Sequence, residues 1–219
     1  MIRNRKQTIW DYVATLKLFD EVNKVGTMDG NLKLQKLTFI AELEGLEKGI
    51  ASSHFRFFRY NYGPFSKDLV GDVQQLTNLG FCSASMKLTK RGQFFLDYIR
   101  PEVEHSDAAL QAYEVFERVA KEYGRRGGTS LMKTVYRLVV PVYELGGQKV
   151  KVDDIPFLTD ILVPTCEQNL TEAAPFSEDM IADLEEELRI PMELLDPENH
   201  AYKKSVKEAL SRIRHAVNA

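Results

Sequence analysis

Cysteine and histidine are scarce in this chain, and long apolar runs are missing. Only two cysteines, Cys82 and Cys166, occur in 219 residues, far apart. They make no disulfide framework, so two buried free thiols are expected. The four histidines, His54, His105, His200 and His215, share no ligand spacing with one another or with the cysteines. No zinc site, and no metal or cofactor of any kind, is expected. No segment approaches the roughly 20 apolar residues of a membrane helix, so no membrane partner is expected. The basic start, Met1 to Lys6, is followed by no apolar h-region, and Asp11 and Lys17 interrupt what comes next. A secretory signal is therefore not expected, and the expected location is cytoplasmic. Catalytic signatures are missing as well: there is no Gly-x-Ser-x-Gly elbow, His-Glu-x-x-His, dinucleotide fingerprint or Cys-His pattern. The expectation is a protein that is not an enzyme.

What is present is an ordinary globular composition, 44% hydrophobic and 28% charged. The net charge of −3 is unevenly spread. Residues 1–100 carry 15 Lys/Arg against 10 Asp/Glu, and residues 101–219 carry 14 against 22. A mildly basic front half is compatible with contact to an anion such as nucleic acid, without the dense patch that would demand it.

Helical periodicity dominates the chain. Ile9, Tyr12, Val13, Leu16 and Phe19 form one stripe, with Thr8 as the expected cap, Asp11 three residues on, and Gly26 as the stop. A second helix over about 31–48 is apolar on two faces, Leu32, Phe39, Leu43 and Leu46 on one, Leu34, Leu37 and Ala41 on the other. Such a helix is central in its module. Phe55 to Tyr62 reads as an aromatic strand ended by Gly63-Pro64. Ser66 caps a third helix striped by Leu69, Val73 and Leu76, and Thr89 a fourth in which Gly92 serves close packing. Between them, residues 81–88 suit two strands or a strand and turn. The order helix, helix, strand, helix, strand-turn, helix is that of a winged-helix variant.

Beyond residue 104 the pattern is mostly helical. One helix is striped from Ala109 to Tyr123, and Gly124-Arg125-Arg126-Gly127-Gly128 breaks it as a basic turn. That tract lacks the Gly-Lys-Ser/Thr ending of a phosphate loop. Leu131, Val135 and Leu138 stripe a helix expected to stop before Pro141, and Gly146-Gly147 suggests a hairpin. Ser177 caps an acidic helix whose Glu178, Asp179, Asp183 and Glu185 to Glu187 read as a solvated face. A last helix is expected from about Pro197. The fold class is thus α+β, mostly helical. A winged-helix-like module over 1–104 carries a helical region over 105–219 packed against it.

Two motifs carry a resemblance. Lys33-Leu34-Gln35-Lys36-Leu37 on a helix, followed by Tyr62-Gly63-Pro64-Phe65-Ser66, resembles the bacterial Panacea family of SocA-like antitoxins and the YwgA-type proteins. Leu88-Thr89-Lys90-Arg91-Gly92 is similar to a wing-to-helix element. The resemblance covers about residues 8–100. It implies a non-enzymatic module that binds a protein partner, such as a toxin, as antitoxin or adaptor in a bacterial or phage setting.

Each candidate residue has a plainer reading beside it. Lys33, Gln35 and Lys36 are either a partner-touching patch or, by preference, the solvated strip of a buried helix. Tyr60, Tyr62 and Phe65, in the candidate turn that runs to Ser66, are either an exposed recognition cluster or, by preference, core, with Tyr60 the best candidate for exposure. Ser66, Lys67, Lys87, Lys90 and Arg91 are where a winged helix would meet DNA, and the four basic residues are the basis of an alternative reading as a transcriptional regulator. Asp68 and Asp72 beside them would repel phosphate.

Overall fold

The computed structural model describes residues 3–164 and 169–184. The chain is α+β and mostly helical. Helix α1, Arg5–Val25, begins at an Asn4 cap rather than at Thr8. The Asn4 side chain accepts from the Gln7 amide at 2.9 Å, and the Gln7 side chain accepts from the Asn4 amide at 3.0 Å. This reciprocal capping box satisfies two amide groups that a helix start leaves open. Asp11 caps nothing; it lies in the interior at 0% exposure.

Helix α2, Asn31–Glu47, is buried without a break from Lys33 to Glu42. The solvated strip expected at Lys33, Gln35 and Lys36 is absent, because the helices Asp107–Tyr123 and Gly128–Val135 and the strands beside it close over this stretch. Strand β1, Ile50–Ala51, follows, and then the aromatic segment, narrower than expected, as β2, Phe57–Tyr60. The chain does not simply break at Gly63-Pro64. It reverses at Asn61-Tyr62 and returns as β3, Gly63–Phe65, with Phe58 opposite Phe65 and Tyr60 opposite Gly63. Gly63 has φ of +92°, a conformation that L side chains rarely adopt.

Helices α3, Lys67–Asn78, and α4, Lys90–Glu104, start at the expected caps, Ser66 and Thr89. The residues between them form a turn closed by a Cys82–Leu88 bridge and a Ser83–Lys87 backbone bond. A Cβ on Gly92 would stand 2.1 Å from the Phe81 carbonyl oxygen, so close packing is indeed its use.

Helices α5, Asp107–Tyr123, and α6, Gly128–Val135, flank the basic turn. The latter ends earlier than its apolar spacing implies, and Val139–Val142 is strand β4, Pro141 included. It pairs with β5, Gln148–Lys151, through a turn in which Gly146 and Gly147 both take positive φ. Proline is tolerated because this is a two-stranded ribbon made only of edges.

The later residues also complete what the earlier ones begin. Strand β6, Asp160–Leu162, pairs antiparallel with β2 to give the order β3-β2-β6. Strand β7, Thr171–Glu172, lies parallel to β1. One apolar core runs from Ile9 to Leu184, with α1 packed on α5 and α2 on α5 and α6. Helical backbone resumes at 178–184, where Ser177 accepts from the Met180 amide. Cys166, Glu185 to Glu187, the helix expected from Pro197, His200 and His215 lie outside the described residues.

Candidate functional site

The core contains a chain of ionisable groups that the sequence reading did not bring together. Asp11 accepts from Arg3 at 2.7 Å, from the His54 amide at 2.8 Å and from His54 Nδ1 at 2.9 Å. Arg3 also grips Asp72 with both terminal nitrogens, at 2.6 and 3.0 Å, and stacks over Phe55. His54 Nε2 meets Glu172 of β7 at 2.7 Å. Burial opposes charge on His54, but Asp11 and Glu172 outweigh it and push the imidazole up to about 10. A cationic imidazole held by carboxylates at both nitrogens has no lone pair with which to act as a base. The group ties α1, α3 and β7 to the segment after β1, which is a structural task.

Glu42 lies in the same region at 1% exposure. Its carboxyl accepts from the Ser53 hydroxyl and, at 3.3 Å, from the Phe55 amide. Burial pushes it up to about 8, against the pull of these donors. A sequence signal for this interior did exist. Asp11 interrupts the apolar run Ile9 to Val13 on α1, and Glu42 lies on the Phe39 and Leu46 face of α2.

A second feature faces solvent. In the β2–β3 hairpin, Tyr60 is 40% and Tyr62 64% exposed, so the preference for a core position fails for both. Phe65 is half-buried, and Ser66 is buried. The rings form a connected cluster: Tyr60 lies 5.4 Å from Phe65 and 5.5 Å from Phe157, and Phe58 lies 5.7 Å from Phe65. Phe157 and Leu158, which sequence reading did not single out, are both more than half exposed. The loop bearing them is tied to β2 by backbone bonds, Leu158 N to Arg59 O and Arg59 N to Thr159 O, at 2.8 and 2.9 Å.

Between this hairpin and the start of α2 lies a pocket of about 170 Å³. Gln35, Lys36, Tyr60, Tyr62 and Phe65 all line it. The two motifs are therefore one physical unit. Gln35 accepts from the Ser66 amide at 2.7 Å and donates to the Ser66 carbonyl at 2.9 Å. Lys36 Nζ donates to the Pro64 carbonyl at 2.7 Å. Lys33 points elsewhere, donating to the carbonyls of Thr27 and Gly124 and so fixing the turn before α2 against the end of α5. Lys33, Gln35 and Lys36 are each 2% exposed, and bind backbone that would otherwise go unsatisfied. Burial, and then the positive charge of Arg59, bring the Lys36 ammonium down to about 7.

The residues nominated for DNA are distributed differently. Lys67, at the start of α3, is exposed, with its ammonium over the Phe58 ring. Lys87 and Lys90 are exposed around the turn before α4. Arg91 is half-buried, donating to the Leu79 carbonyl and stacked on Phe81. Asp72 faces Arg3 in the interior, not a phosphate at the surface. Among the described residues no group of three His, Cys, Asp or Glu is arranged to hold a metal ion, and no helix is long and apolar enough to cross a membrane. Comparison with family models, with curated proteins and with solved structures gave no match.

Proposed function

We propose that this chain is a non-enzymatic, partner-binding regulatory protein of antitoxin or adaptor type, acting in a bacterial or phage setting. The resemblance of its paired motifs to the Panacea and YwgA-type proteins suggests the class. The observation that carries it furthest is the solvent-facing pair of stacked rings Tyr60 and Phe157, with exposed Tyr62 beside them at the pocket. Aromatic side chains held rigidly at a surface supply contact area at little entropic cost, and they are enriched among the anchors of protein interfaces. The base is preorganised, since Gln35 and Lys36 pin the Pro64–Ser66 backbone before any partner arrives.

The test is capture of a partner from the native host by the tagged, nuclease-treated protein, compared with a Tyr60→Ser, Tyr62→Ser double variant. A stoichiometric protein lost by the variant, whose melting temperature stays that of the unaltered chain, supports the reading. Failure to recover any protein, with DNA retained from untreated extract in a salt-sensitive way, overturns it. That result would favour the winged-helix regulator acting through Lys67, Lys87 and Lys90.

A further inference from the structure

The pocket beneath the hairpin is lined by a lysine amine without a counter-ion among the described residues. Lys36 Nζ is buried and has one hydrogen-bond acceptor, the Pro64 carbonyl, for its three donors. Among the described residues no carboxylate pairs with it, and the charge acting on it is another cation, Arg59 of β2. Arg59, which is half-buried, also has no carboxylate partner among the described residues. Its guanidinium lies over the Tyr136 ring and donates to the Tyr60 carbonyl, while its Nε is buried without a hydrogen-bond partner. Two other buried cations among the described residues are matched: Arg3 has Asp11 and Asp72, and His54 has Asp11 and Glu172. A buried ammonium normally needs an anion or loses its proton.

The surroundings say which anion fits. The volume of about 170 Å³ is several times the roughly 30 Å³ share of one water, enough for a side chain. Tyr60, Tyr62 and Phe65 make its walls largely apolar. A Cβ at position 63 would stand 3.2 Å from the Tyr136 ring and 3.5 Å from Lys36 Nζ, so glycine there lets both side chains close on the turn. The two spare donors of one ammonium match a single carboxylate. A phosphate, with up to about two charges and three strong acceptor oxygens, would ask for more donors than the pocket offers.

We propose that this pocket receives an acidic side chain of the partner protein, its carboxylate held by the Lys36 ammonium near Arg59 and the adjoining apolar group by Tyr60 and Phe65. This deepens the partner-binding reading and rests on it. It gives that partner a chemistry, an Asp or Glu next to an apolar residue.

The experiment follows the Lys36 side chain by NMR in protein labelled at lysine side-chain carbons, using 3-phenylpropionate as a minimal carboxylate with a ring. At saturation the Lys36 titration should move upward by about one pH unit, because a bound anion favours the charged form. The neutral 3-phenylpropanamide should leave it unchanged. The probe should not bind Lys36→Met, which keeps the length of the side chain without its charge. No movement with the carboxylate in millimolar excess would overturn the proposal. So would equal movement with inorganic phosphate, or equal binding to Lys36→Met. If a captured partner depends on Tyr60 and Tyr62 but not on Lys36, the partner-binding reading stands and the carboxylate pocket falls.

Discussion

Replacing Glu42 with glutamine should make the protein more stable in alkali while leaving it nearly unchanged in mild acid. The carboxyl is buried among Ser52, Ser53 and the Phe55 amide, and burial raises it from 4.5 to about 8. The native state therefore holds a proton that the unfolded chain gives up near pH 4.5. Stability from this group is complete below that value, falls as pH rises, and is lost by about pH 8. At about 1.4 kcal/mol per pH unit, the upper bound is roughly 5 kcal/mol. Relaxation of the buried site and entry of water lower the cost of a buried carboxylate, so about 2–4 kcal/mol is expected. Glutamine keeps the shape and the acceptor oxygen, but it has no proton to lose. The slopes contributed by His54, raised to about 10, and by Asp72, raised by burial to about 6, belong to both chains and largely cancel in the comparison. Urea denaturation at pH 5, 7 and 9 measures the difference. The Glu42→Gln chain should match the unaltered one at pH 5 and exceed it at pH 9. A gap that does not change with pH would mean that Glu42 is ionised throughout, and the argument would fail.

Two further substitutions probe packing. Gly92→Ala places a methyl group against the Phe81 backbone and should cost about 2–4 kcal/mol in urea denaturation. Its control, Gly71→Ala, meets open space on α3 and should add about 0.5–1 kcal/mol; equal effects would show that helix propensity, not close approach, governs position 92. Trp10→Phe removes the 2.9 Å bond from the indole nitrogen to the Ser52 carbonyl at a fully buried position. It should cost about 2–3 kcal/mol by circular dichroism melts, and an unchanged melt would show that this bond contributes little.

Caps and stripes were legible in the residues because they are local. Ser66, Thr89 and Ser177 accept from amides three residues on, and the stripe of Leu69 and Leu76 needs only the helical repeat. Gly146-Gly147 likewise announces its turn, since it needs positive φ at neighbouring positions. The cap of α1 is not legible from the stripe, because Asn4 and Gln7 stand earlier than the apolar residues begin and Asp11 imitates a capping partner. Strand β4 is masked in the sequence because Val135 and Leu138 keep helical spacing across the end of α6.

Sequence by itself determined the α+β class, most of the helix starts and the two motifs that meet at the pocket. Tertiary structure alone decided that Lys33, Gln35 and Lys36 turn inward while Tyr60 and Tyr62 turn outward, reversing the usual preference of each residue type. The reason is that backbone carbonyls at Thr27, Pro64, Ser66 and Gly124 need donors where water is excluded, and α2 passes within reach of all four. The same holds for Asp11, His54 and Glu172: partners 43 and 118 residues apart are chosen by packing, which no local pattern encodes.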